Sequence, residues 1–284
     1  MIFALENFLF AFFLSLLAGL STTIGSVIAF IVKKPNPKFI SFVMGFSAGV
    51  MIFISFVELL FKSISPSSPS SIGYEFGVLF FFLGMGIMFL IDAIVSHKYE
   101  FEDSIEILVK ENGSYKPHLH YGHRRRKKFN GEKKNLKIEK TSLFIILGVF
   151  IHNFPEGMAT FIGTLAEVEL GLLLTLAIAL HNIPEGIAVS LPIYTYTGSK
   201  KKAFKWSFIS GMSEPVGALI TWVILFPFIT PTLLSALLAA VGGVMVYISL
   251  DELLPASRSL GKEHHSILGI ITGMIIMAIS LALF

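Results

Sequence analysis

Apolar residues run along this chain in eight long stretches separated by short polar punctuation. The stretches lie near 4–31, 39–61, 74–96, 142–163, 170–194, 204–226, 231–254 and 266–284. Each is close to the roughly 20 residues that an α-helix needs to cross a bilayer core. One interval, 97–141, is mostly polar and contains the run Arg124-Arg125-Arg126-Lys127-Lys128. The pattern predicts an all-α integral membrane protein with a single transmembrane domain over 1–284. The 97–141 interval is expected to be a flexible cytoplasmic loop whose basic run sits against anionic lipid. The first stretch does not read as a signal peptide, because it lacks a basic start, carries Glu6 and runs too long.

Composition agrees. The 284 residues are 54% hydrophobic and 14% charged, against about 25% charged in soluble domains. With no cysteine, disulfides and thiolate metal sites are excluded. The position of the charges says more than the net +3. If the N-terminus lies outside, 21 of the 22 Lys and Arg fall in inner loops, and only Lys62 faces out. The positive-inside rule then places both termini outside a cell membrane. The bilayer is an expected partner and nucleic acid is not.

The chain matches itself in three places. His152-Asn153-Phe154-Pro155-Glu156-Gly157 recurs as His181-Asn182-Ile183-Pro184-Glu185-Gly186 on the fourth and fifth stretches. Residues 45–60 align with 239–254 at eight identities in sixteen, including Ser55-x-x-Glu58-Leu59-Leu60 against Ser249-x-x-Glu252-Leu253-Leu254. Residues 19–28 align with 211–220 at four identities in ten. In an eight-helix chain the partners of the last two matches cross the membrane in opposite directions. That predicts inverted repeats arranged 3+2+3, with a substrate site near the midplane between them.

The doubled motif supplies the chemistry. At about 100° per residue, His152 and Glu156 lie about 40° apart, with Asn153 about 60° from Glu156 on the other side. His181, Asn182 and Glu185 repeat this on the antiparallel neighbour. Pro155 and Pro184 free the carbonyls of Ile151 and Leu180 and bend their helices, while Gly157 and Gly186 allow close helix approach. Glu214, beside Pro215, adds a third carboxylate at similar depth. Unpaired, three such groups would cost on the order of 9 kcal/mol. No Lys or Arg stands near the middle of any span, so the natural counter-charge is a bound cation. Nitrogen and oxygen donors without sulfur suit zinc, ferrous iron, cobalt, manganese or cadmium.

At these residues the chain resembles the ZIP (ZRT/IRT-like protein) family of divalent metal transporters, particularly its bacterial ZupT-like branch. HNFPEGMATF, HNIPEGIAVSLPIY with TGSKKKAF, SGMSEPVGAL and VYISLDELLPASR carry the likeness, which covers all but the 97–141 loop. The resemblance implies an eight-helix 3+2+3 bundle that takes zinc and ferrous iron into the cytoplasm through a binuclear centre. One metal position would use His152, Glu156, His181 and Glu185. The other would use Asn153, Asn182 and Glu214, with both motif glutamates bridging. It also implies a release cluster of Asp92, Asp251 and Glu252 at the inner side, for which ordinary interfacial carboxylates are the plain alternative. His97 is adjacent, and Glu58 stands near the outer end of its helix, where it would attract cations. His118, His120 and His123 in the loop have spacings compatible with weak metal binding, although a plain disordered polar loop is the preferred reading, and a homodimer is a further expectation. The metal is cargo rather than a resident cofactor.

Three other readings are weighed against import. An intramembrane metalloprotease needs HExxH with a glutamate after the first histidine; Asn153 and Asn182 stand there and take no proton. A metal sensor or scaffold would bind without net transport. An exporter would share every feature except direction.

Overall fold

A computed structural model describes residues 2–31, 36–68, 70–95, 151–259 and 262–283, and every regular element among them is helical. The helices are α1 (Ile2–Ile31), α2 (Pro37–Ile64), α3 (Tyr74–Val95), α4 (151–166), α5 (Val168–Thr197), α6 (Lys200–Leu225), α7 (Pro231–Ser259) and α8 (Glu263–Leu283). Seven of them are long and apolar enough to cross a membrane. The exception, α4, is described from 151, so 142–150 of its expected span lie outside the described residues. The 97–141 loop, with His97, His118, His120 and His123, lies there too.

Local chemistry sets the ends. Asn36 caps α2 by accepting from the Lys38 N–H at 2.9 Å, with Pro37 in the first helical position. Thr230 and Pro231 do the same for α7, the Leu233 N–H donating to Thr230 Oγ1 at 3.1 Å. Gly198, at φ +65°, closes α5 in the left-handed conformation that favours glycine, and Ser199 caps α6 next door. Between α4 and α5 only Glu167 is non-helical, its backbone extended.

Among the helices that run further than the apolar pattern predicts, two share a cause. Helices α2 and α7 were expected to end near 61 and 254 and instead reach Ile64 and Ser259. Each contains a π-helical turn, Ser55–Leu60 in α2 and Ser249–Leu253 in α7, where one extra residue is wound into the helix. These turns fall on the matched halves of the second self-similarity. Ser55 donates to the Met51 carbonyl at 2.7 Å and Ser249 to the Met245 carbonyl at 2.8 Å. Such back-bonds recur through the bundle, because a hydroxyl in an apolar setting has a carbonyl of its own helix within reach.

Packing is closest between α2 and α8, α1 and α5, and α3 and α7. The first and third self-matches meet at backbone contact. A Cβ on Gly19 would stand 2.2 Å from the Gly211 carbonyl oxygen, and one on Gly211 would stand 2.1 Å from that of Gly19. Likewise a Cβ on Gly157 would meet the Glu214 oxygen and one on Gly186 the Thr22 oxygen, at 2.0 and 1.9 Å. Glu214 and Thr22 are themselves counterparts in the third match. Helices α3 and α8 expose large apolar side chains such as Phe76, Leu79, Phe82, Ile271 and Ile275, as lipid contact requires. Polar residues turn inward instead: Glu156, Asn153, Asn182 and Glu214 have no solvent exposure at all.

Candidate metal centre

The motif residues converge where α4, α5 and α6 meet. Glu156, His181 and Glu185 are all buried and bring a donor atom each within 4.8 Å of one another. His181 Nε2 lies 3.3 Å from Glu156 Oε1 and 3.5 Å from Glu185 Oε2. His181 and Glu185, four residues apart on α5, reach one point as helical spacing dictates. Glu156 arrives from α4.

The amides and the third carboxylate sit against this group. Asn182 Nδ2 donates to Glu214 Oε1 and, at 3.0 Å, to the Ala18 carbonyl of α1. Both donor hydrogens are thereby used, leaving Asn182 Oδ1 without a hydrogen bond. Asn153 lies beside Glu185, within reach of its carboxylate. Among the described residues, the buried oxygens of Glu156 and Glu185 meet no donor beyond Asn153 and the His181 ring, and Glu214 Oε2 meets none. Buried polar atoms in native proteins are nearly always paired. Here buried carboxylates of α4 and α5 close on the His181 ring, and Glu214 of α6 stands beside them, with few donors to meet so many acceptors. A divalent cation would supply the positive charge that this donor set lacks.

His181 is held by Ser47 of α2, whose Oγ is hydrogen bonded to Nδ1 and lies 3.5 Å from the His181 carbonyl oxygen. On the other side of the ring, Nε2 faces the two glutamates. Such outer partners fix the ring and tautomer of a metal-binding histidine. Sequence reasoning missed Ser47. The signal was available: its counterpart in the second self-match is Val241, so the hydroxyl is unexplained by the repeat.

His152 is placed differently from its three expected co-ligands. Its Nδ1 lies 2.9 Å from Glu252 Oε2 on the π-helical turn of α7, and it is not among the converging donors of Glu156, His181 and Glu185. The expected inner cluster is also divided. Glu252 turns to His152, whereas Asp92 accepts from the Tyr247 hydroxyl at 3.3 Å, with Asp251 facing the same hydroxyl. Adjacent helical residues diverge by about 100°, so Asp251 and Glu252 face different neighbours. Which neighbours they meet depends on how α7 packs against α3 and α4, which the sequence pattern does not carry. Glu252 side chain is 25% exposed, so the polar chain from His181 through Glu156, His152 and Glu252 leads toward solvent.

In the other direction the way is apolar. Leu170, Leu174, Ala177 and Ile178 are buried along α5 above His181, and Leu170 is about 16 Å from it at 1.5 Å per residue. Beyond lies a cavity of about 670 Å³, lined by Glu58, Lys62, Ser65, Glu167 and Ser235 among others. Glu58, expected to attract cations, pairs there with Lys62 Nζ at 3.6 Å.

Comparison with known proteins bears on the whole chain. Residues 95–281 match the family model described as ZIP Zinc transporter. The Zinc transporter ZupT of Clostridium perfringens is 46% identical over 286 residues, 99% of this chain and 98% of that relative. That of Chlorobium chlorochromatii is 46% identical over 283 residues, 98% of this chain and 99% of the relative. The Campylobacter jejuni protein of the same name is 46% identical over 292 residues, covering 99% and 98%. A family match and full-length likeness coincide with the buried His and Glu cluster, and this chain belongs to the ZIP zinc transporter family.

Proposed function

We propose that this chain carries zinc, and ferrous iron by the same donors, into the cytoplasm through the centre between α4, α5 and α6. One observation carries the reading: buried Glu156, His181 and Glu185 bring donor atoms within 4.8 Å of one another, and Glu214 adds a third buried carboxylate beside them. One ion would bind His181, Glu156 and Glu185. A neighbouring ion would use Asn153, Asn182 and Glu214, with Glu156 and Glu185 bridging. His152 then serves as the handover from the centre to Glu252, with Asp92 and Asp251 further along.

Metal ligands act deprotonated, so an arriving ion expels protons from these groups and their return loosens it. The paired glycine contacts and π-helical turns support two related halves around α4 and α5, the 3+2+3 arrangement whose rocking alternates access. The absence of a glutamate after His152 or His181 argues against peptide hydrolysis.

Radiolabelled zinc uptake into proteoliposomes tests the reading. Wild type should fill the vesicles in a saturable manner, and Glu185→Ala should reduce uptake to the level of empty liposomes. Equal uptake by the two proteins refutes the ligand assignment.

A further inference from the structure

Lys62 is the basic residue that breaks the charge pattern: the other 21 Lys and Arg fall on the opposite side of the expected topology. Its ammonium is an ion partner of two carboxylates on different elements. Glu58 lies one turn back on α2, and Glu167 is the extended residue joining α4 to α5. All three line the 670 Å³ cavity at that end of the bundle. Their side chains are only partly exposed, 31% for Lys62, 18% for Glu58 and 44% for Glu167. An isolated surface lysine contributes little through such pairs. A lysine in a concave mouth does more, because low-dielectric walls focus the field that an approaching ion feels.

We infer that Lys62 is a tethered cation which occupies the mouth of the transport path and competes with incoming divalent metal for Glu58 and Glu167. The inference rests on the transport reading above and adds an entry step to it. With the lysine in place, two carboxylates and one ammonium leave a single net negative charge at the mouth. A hydrated divalent ion must displace the ammonium to meet both carboxylates. Because Lys62 also ties α2 to the α4–α5 turn, the arriving ion releases that tie as it binds. The lysine thus sets how much external metal is needed without touching the centre.

The chain has no cysteine, so the charge at this position can be varied on one protein. Lys62→Cys is expressed in zinc-uptake-deficient bacterial cells. It is then modified from outside with either of two membrane-impermeant methanethiosulfonates, one ending in trimethylammonium and the other in sulfonate. The trimethylammonium adduct should show the wild-type apparent KM for zinc. The sulfonate adduct should show a value about 3- to 10-fold lower at low ionic strength, with the maximal rate unchanged. The gap should close at ~0.5 M KCl, where the screening length falls to about 4 Å. Lys62→Arg, which keeps the charge, should match wild type, and Glu167→Gln should raise the apparent KM.

Equal KM for the two adducts, or no effect of either reagent from outside, overturns the inference while wild-type uptake stands. Absence of uptake by wild type itself removes the transport reading, and the entry step with it.

Discussion

Among single residues, Ser47 lies outside the proposed ligand set yet is bonded to it. It holds His181 Nδ1 from α2, so its loss would free the ring to rotate and to change tautomer. Ser47→Ala is expected to weaken zinc binding about 10-fold, the lower bound for outer partners of metal ligands. Competition against a chromophoric chelator measures this directly; an unchanged affinity removes Ser47 from the metal's support. The meeting of Glu156, His181 and Glu185 was legible because a histidine, an amide and a carboxylate recur at fixed spacing inside apolar sequence. The turning of His152 toward Glu252 was not legible. That contact joins residues on α4 and α7, and how these two helices face one another leaves no mark in the hydrophobic pattern.

Among elements, the junction of α4 with α6 is set by backbone rather than side chains. A Cβ on Gly157 would sit 2.0 Å from the Glu214 carbonyl oxygen, on the residue that supplies the third carboxylate. Gly157→Ala must push α6 away from α4, at a cost of about 1–3 kcal/mol typical of overpacking. The thermal midpoint should fall and zinc uptake with it. Gly86→Ala on α3, where a Cβ meets nothing within 4 Å, should leave both unchanged. A stable, active Gly157→Ala protein contradicts the close approach. Seven spans were readable from apolar length alone, while the fourth, expected at 142–163, is described only from 151. The extra turns of α2 and α7 were not, since Ser55–Leu60 and Ser249–Leu253 look like ordinary helix ends until their winding is seen.

For the whole molecule, charge and topology make a joint prediction. The mouth holding Lys62 should face outward, and the α5–α6 turn with Lys200, Lys201 and Lys202 inward. A membrane-impermeant maleimide added to intact cells should label Ser67→Cys and spare Lys201→Cys until the membrane is opened. The reverse pattern inverts the orientation, and with it the direction of import. Finally, Glu167 alone separates α4 from α5, which leaves no slack for one helix to slide along the other. Under the proposed rocking, both motif helices would therefore move as one stiff fork. His181, Glu156 and Glu185 would keep their mutual spacing, while Glu214 is carried by a different helix.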